Sequence, residues 1–148
     1  MRKIARLLLT VESIWAFGSG LFLPIFAIFS QQVGGSILDA GIAAAIFLFA
    51  TSVLEWPVGK LLDKYREKWF IVLDYFLEAL VFIGYIFVAN KWQLFGLQVM
   101  LGIANAVGNP SWESLYDRHT PAKGSGSSWA SSYFYSGCFT ALGILLGT

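Results

Sequence analysis

Apolar segments recur along the chain and are separated by short polar connectors. Each segment is about 20 residues long, and a helix of that length spans roughly 30 Å of hydrocarbon. Helices are expected because a helix satisfies its backbone hydrogen bonds within its own segment. The pattern predicts an all-α integral membrane protein, with residues 1–148 forming a single transmembrane domain. The predicted transmembrane helices lie approximately at residues 7–29, 40–62, 69–89, 94–116 and 128–148.

Composition supports a membrane environment. Hydrophobic residues make up 57% of the chain and charged residues 13%, whereas soluble domains carry about 25% charged residues. The net charge of +1 indicates no nucleic-acid partner, and the lipid bilayer is the expected partner. Cys138 is the single cysteine, so no intrachain disulfide is expected. The sequence indicates no metal site and no cofactor.

Lysine and arginine residues are distributed unequally between the two sides that five spans would create. Lys91 alone falls on one side, and the other side carries Arg2, Lys3, Arg6, Lys60, Lys64, Arg66, Lys68, Arg118 and Lys123. Cytoplasmic loops of membrane proteins are enriched in these residues. The N-terminus and the turn around Asp63 are therefore predicted to be cytoplasmic, in an inner or plasma membrane.

The charged turn GKLLDKYREK resembles the loop between the second and third helices of the major facilitator superfamily. The matching positions are Gly59, Leu61, Asp63, Lys64 and Lys68. Arg66 and Glu67 stand where the family usually has Gly and Arg, so the match is partial.

The resemblance implies a conformational latch formed by Gly59, Asp63, Lys64, Arg66 and Lys68. Gly59 would let two helices approach closely. The Asp63 carboxylate would form an ion pair in one conformation and lose it in another. The alternative is an ordinary charged turn that only fixes the orientation in the membrane.

Two further stretches extend the resemblance over nearly the whole chain. LQVMLGIANAVGNPSWESLYDRHTP is similar to the family's fourth helix, and SGCFTALGILLGT to its fifth. The family fold has two six-helix halves. Five helices therefore imply an incomplete N-terminal half, with the sixth helix and the whole C-terminal half missing. The implied function is that of a fragment of a secondary transporter, which moves a small solute across the membrane by alternating access.

Polar side chains repeat along one face of the first and fourth predicted helices. They are Glu12, Trp15 and Ser19 on the first helix, and Gln98, Asn105, Asn109, Trp112 and Tyr116 on the fourth. Polar residues rarely line up against lipid, so each row should face protein or a water-filled cavity. In the family these two helices line the central cavity, which makes the residues candidates for cavity lining. The alternative is that they form hydrogen bonds between helices.

Five acidic residues lie within the predicted spans, where an unpaired charge is costly. They are Glu12, Glu55, Asp74, Glu78 and Glu113. Counted from the helix ends, all five fall in the half near the basic turns, which favours an ion-pair network. Glu12 is the candidate for proton coupling, because it shares a face with the cavity-type residues.

An enzyme is not expected. His119 lies close to Asp117 and to several serines, but no serine stands in a Gly-x-Ser-x-Gly turn and no enclosed pocket is implied. A non-transporting membrane protein that serves in assembly or as a scaffold remains the alternative to a transporter.

Overall fold

The computed structural model describes residues 3–120 and 125–148, which form helices joined by short connectors. The helices are α1 (Lys3–Gln32), α2 (Ile37–Leu62), α3 (Glu67–Tyr85), α4 (Lys91–His119) and α5 (Ser125–Gly147). No strand occurs in the described ranges, which confirms the all-α class. Arg2 and Lys123, two of the nine basic residues used to predict the orientation, lie outside the described residues.

Each predicted segment overlaps one helix, but α3 ends at Tyr85 rather than near residue 89. The N–H groups of Ile86, Phe87 and Val88 donate to carbonyls three residues back, a tighter turn that ends an α-helix. The next helix then begins at a capping residue, because the Asn90 Oδ1 accepts from the N–H groups of residues 92 and 93.

Two of the described helices, α1 and α2, are long and apolar enough to cross a membrane by length and hydropathy. Helix α3 carries four charged residues, and serine, glycine and amide residues make α4 and α5 more polar. The count of five transmembrane spans therefore stays a prediction.

Contacts divide the chain into two compact units. The first contains α1 up to Ile28 and the chain from Tyr116 onward. In this unit α1 and α5 pack backbone against backbone, since a Cβ added at Gly143 would collide with the Phe17 carbonyl and lie 2.8 Å from the Leu21 nitrogen. Small residues at the contact permit this approach.

The second unit runs from Phe29 to Leu115 and contains α2, α3 and most of α4. Here α2 and α4 meet at Gly102, where an added Cβ would lie 2.6 Å from the Ala50 Cβ and 2.8 Å from the Phe47 carbonyl. Large apolar side chains point outward from α2 and α3, among them Phe49 at 73% exposure and Phe76 at 60%. Exposed apolar surface on this scale is expected for helices that contact lipid.

Candidate functional site

The turn between α2 and α3 holds the predicted latch residues. Asp63 is the C-cap of α2, and its own N–H donates to the Leu61 carbonyl. The side chains of Asp63, Lys64, Arg66 and Lys68 are all exposed. Within the described residues, no ion pair joins Asp63 to its basic neighbours. The latch therefore stays a prediction about another conformation.

Gly59 does not have the packing that the motif implied. A Cβ added there would meet no atom within 4 Å in the described part of the chain. In the described part of the chain no helix lies against Gly59, so its role in a close helix approach stays a prediction. The close approaches lie instead at glycines further along, such as Gly102 and Gly143, where backbone atoms of a neighbouring helix fill the space.

The polar row of α4 makes hydrogen bonds to α3 at its buried positions. The Gln98 amide donates to the Tyr85 hydroxyl at 3.0 Å, and the Asn105 amide donates to a Glu78 carboxylate oxygen at 3.1 Å. Gln98, Asn105 and Glu78 are 4%, 7% and 6% exposed. Two of the predicted cavity residues thus form interhelical bonds, which is the alternative that the sequence left open.

Further along the row, α4 also reaches α2. The Asn109 amide donates to a Glu55 carboxylate oxygen at 3.0 Å, and this bond is exposed. Trp112 is half-buried. Tyr116, the last candidate on α4, is fully buried, and its hydroxyl donates to the Ser128 carbonyl at 2.9 Å. Asn105 and Asn109 lie four residues apart, so one face of α4 presents an amide to an acid on each of two neighbouring helices.

The candidates on α1 belong to the first unit, whereas those from Gln98 to Trp112 belong to the second. Glu12 and Ser19 are half-buried and Trp15 is 38% exposed. Their spacing of three and four residues places them on one face of the helix, as predicted.

The acids of the second unit contact polar and glycine positions of α4. Besides Glu55 and Glu78, Asp74 packs against Gly108, where an added Cβ would collide with its carboxylate. Glu67, which the sequence marked only as a departure from the loop motif, is 5% exposed and accepts from the Ser114 hydroxyl at 3.1 Å. Four acidic side chains from α2 and α3 therefore contact α4 between residues 105 and 114.

A second cluster, missed by the sequence reading, lies at the start of α2. Ser36 and Asp39 form a capping box, in which the Ser36 N–H and hydroxyl donate to Asp39 Oδ2 at 2.8 and 2.9 Å. Lys91 Nζ lies 3.3 Å from Asp39 Oδ1 and joins the start of α4 to the start of α2. The Ser-x-x-Asp spacing is typical of a capping box and could have predicted the cap. The ion pair with Lys91 could not be predicted from spacing, because it depends on how α2 and α4 pack.

The Asp39 carboxylate is stabilised in its charged form by these donors. The backbone N–H of Ser36 has the largest effect, followed by the Ser36 hydroxyl, and Lys91 adds to both. Together they hold the pKa of Asp39 below its usual range, against a smaller opposing effect of burial.

Comparison with known proteins places these features in a family. An uncharacterized MFS-type transporter of Methanocaldococcus jannaschii is 33% identical over 93 residues, which cover 63% of this chain and 24% of the relative. An uncharacterized MFS-type transporter of Bacillus subtilis is 22% identical over 131 residues, covering 88% of this chain and 80% of the relative. The chain thus spans about a quarter of the length of the archaeal relative that it matches. No solved structure is significantly similar to it.

The sequence profile of the Major Facilitator Superfamily matches residues 8–148. The match covers α2 to α5 completely and nearly all of α1, so it agrees with the resemblance found in the charged turn and in the fourth and fifth helices. This chain belongs to the Major Facilitator Superfamily and is a membrane protein of the transporter class.

Proposed function

We propose that the chain is the N-terminal part of a secondary transporter that moves a small solute by alternating access. Family membership supports the transporter class. The structural observation that carries the proposal furthest is the row of amides on α4 bonded to carboxylates of α2 and α3. Polar and ionisable groups inside apolar helices are costly, and in membrane proteins they commonly mark transport pathways.

The whole transporter would include a further part that pairs with these helices. The length of the archaeal relative, of which the match covers 24%, supports a longer working assembly. The predicted cavity residues Glu12, Trp15, Ser19, Gln98, Asn105, Asn109 and Trp112 are proposed to lie beside the solute path. Gln98 and Asn105 would act there through the helix packing that they stabilise.

A ligand screen followed by a flux measurement tests this function. The product of the complete reading frame is purified, and its melting temperature is measured with a panel of sugars, amino acids, nucleosides and organic ions. A transported solute binds the folded protein and raises the melting temperature in proportion to its occupancy. Each stabilising solute is then tested for uptake and for counterflow in vesicles. Stabilising solutes that are bound but never moved would contradict the transporter.

We propose further that the N-terminus and the α2–α3 turn are cytoplasmic, in the inner or plasma membrane. The unequal distribution of basic residues supports this orientation. Cys138 is exposed, so it is first replaced by serine. Single cysteines are then placed at Gln32 and at Tyr65 in intact cells. An impermeant maleimide should label position 32 from outside and leave position 65 unlabelled, and the reverse pattern would overturn the orientation.

A membrane assembly protein without transport is the second candidate. An apolar groove of about 730 Å³ in the second unit favours it, lined by residues of α2 and by Val99 of α4. Such a groove accepts a lipid chain or an apolar helix of a partner. The bacterial relative also supports it, because 80% of that protein aligns with this chain and the two are therefore of comparable length. Absence of any stabilising solute, with the protein correctly inserted, would favour this candidate.

A further inference from the structure

A second groove lies at the charged turn and differs from the apolar one in chemistry. It has a volume of about 530 Å³ and is lined by Lys64, Tyr65, Arg66, Trp69, Phe70 and Leu73. The first three residues belong to the α2–α3 turn, and the last three lie on the first two turns of α3. A volume in this range suits a small-molecule ligand or the head of a lipid.

The part of the lining that comes from the α2–α3 turn is cationic. Lys64 and Arg66 line the groove with exposed side chains. The two nearest acids do not line it, and the carboxylate of one of them, Glu67, is buried and accepts from Ser114 of α4. The groove therefore offers two lining cations without a lining carboxylate, which favours an anionic occupant.

The part of the lining that comes from α3 is apolar and aromatic. Trp69 is 68% exposed and Leu73 is 46% exposed. The two side chains lie four residues apart and therefore point from the same face of α3. Tryptophan and tyrosine are enriched at the boundary between lipid headgroups and hydrocarbon. From the turn into α3 the lining residues change from cations to aromatic rings and then to leucine. A phospholipid presents its charged headgroup and its acyl chain in the same order.

We propose that this groove is a binding site for an anionic phospholipid. Lys64 and Arg66 bind the phosphate and the additional negative charge of the headgroup, and Trp69, Phe70 and Leu73 contact the upper part of an acyl chain. Basic clusters next to a membrane helix bind anionic lipids through this pairing of charges. The site depends on membrane placement of the turn but not on transport, so it goes beyond the proposed function.

Fluorescence quenching by brominated lipids tests the site directly. The full chain is reconstituted in bilayers of phosphatidylcholine with a minor fraction of phosphatidylglycerol, and the bromine is carried on the chains of one lipid or the other. The signal of Trp69 is isolated as the difference between the wild type and Trp69→Phe. We expect brominated phosphatidylglycerol to reach Trp69 with a preference of about tenfold over its share of the bilayer.

Two double variants distinguish a specific lipid site from a general attraction of anionic lipid to the basic residues. Lys64→Gln with Arg66→Gln should reduce the preference to about that of bulk lipid. The matched control, Lys60→Gln with Lys68→Gln, removes two charges from the helix ends on either side of the turn but none that lines the groove. It should keep most of the preference. Equal loss in both double variants, or no preference in the wild type, would overturn the site.

A competition arm distinguishes a lipid from a free anion. Sodium phosphate is compared with sodium chloride at equal ionic strength, so that screening is matched. A lipid site keeps its preference in both salts. Selective loss in phosphate would mean that the cations hold a free phosphate, and the lipid proposal would fall. Lipid contact is measured without flux, so this proposal and the transporter proposal fail independently.

Discussion

Single glycine positions decide how closely the helices of each unit approach. At Gly143 of α5 the neighbours of an added Cβ are all backbone atoms of α1, which cannot rotate away as a side chain does. At Gly137, six residues earlier on the same helix, an added Cβ would meet no atom within 4 Å in the described part of the chain. The two glycines therefore have different roles despite the same residue type.

Gly143→Ala is expected to destabilise the protein because the added methyl group forces α1 and α5 apart. Overpacking of this kind costs about 1–3 kcal/mol. Gly137→Ala is the matched control and should leave stability unchanged or raise it slightly, since alanine is the better helix former. Unfolding in mixed micelles by a denaturing detergent measures both. Equal stability of the two variants would show that the α1–α5 contact is looser than described.

The Asp39 carboxylate makes the stability of the folded state depend on pH, and the sign of this dependence follows from its lowered pKa. Such a group stabilises the folded state above its unfolded pKa, about 3.9, and this contribution is lost as the pH falls through the folded value. Asp39→Asn should therefore melt below the wild type at neutral pH, with the difference shrinking below about pH 4.

Lys91→Gln is the companion variant, because it removes the ion pair and leaves the capping box of Ser36 and Asp39 intact. Lys91→Gln should lower the melting temperature less than Asp39→Asn does. The reason is that the Ser36 backbone donor affects the carboxylate more than Lys91 does. A difference between Asp39→Asn and the wild type that persists unchanged at pH 3 would contradict the assignment.

Between whole elements, α4 is held to its neighbours by amide–carboxylate bonds at two depths. The Asn105–Glu78 bond is buried between α4 and α3, whereas the Asn109–Glu55 bond between α4 and α2 is exposed. The chemical groups are the same and the lengths are 3.1 and 3.0 Å. The two bonds therefore differ in burial, and the Asn105 amide also donates to the Leu101 carbonyl at 3.3 Å.

A double-mutant cycle on Asn105→Ala and Glu78→Ala should give a favourable coupling energy. Interhelical hydrogen bonds in membrane proteins average about 0.6 kcal/mol and reach about 1.7 kcal/mol, and the buried pair is expected in the upper part of that range. The same cycle on Asn109→Ala and Glu55→Ala should give less, because water competes at an exposed site. Equal couplings, measured by the same unfolding assay, would show that burial does not strengthen the bond.

Helix positions were predictable because apolar length and polar connectors are local features of the chain. The predicted end of α3 was about four residues too late. The helix ends in i→i−3 hydrogen bonds after Gly84, and α4 is capped by Asn90, but the residues between Gly84 and Asn90 are mostly apolar and gave no sign of the break. The polar row on α4 was predictable from spacing. Its partners were not, because the choice of Glu78 for Asn105 depends on how the helices pack.

At the scale of the whole molecule, the charged turn is the feature that connects sequence to proposed function. The family resemblance of the turn is confirmed by the match over residues 8–148, whereas its latch mechanism is still a proposal. Asp63 is exposed and forms no ion pair with the basic residues of its turn in the described part of the chain. A latch at Asp63 would therefore act in a conformation other than this one.

Asp63→Asn keeps the size and hydrogen-bonding capacity of the side chain and removes its charge. Because the carboxylate has no ion pair here, the melting temperature should not change. If the ion pair forms in another conformation, the flux of the solute identified by the stability screen should fall about two- to fivefold, as expected for loss of a largely exposed pair.

Glu12→Gln is the contrast to Asp63→Asn within the same flux assay. If Glu12 couples protons, its variant should lose accumulation driven by a pH gradient and keep exchange at equal pH, because exchange needs no net proton movement. Asp63→Asn should slow both fluxes, since a conformational step is common to them. Vesicles with matched amounts of inserted protein are required for the comparison. If Asp63→Asn shows wild-type rates in both fluxes, the turn only determines orientation in the membrane. If Glu12→Gln loses exchange, Glu12 acts in solute binding or packing and not in proton coupling.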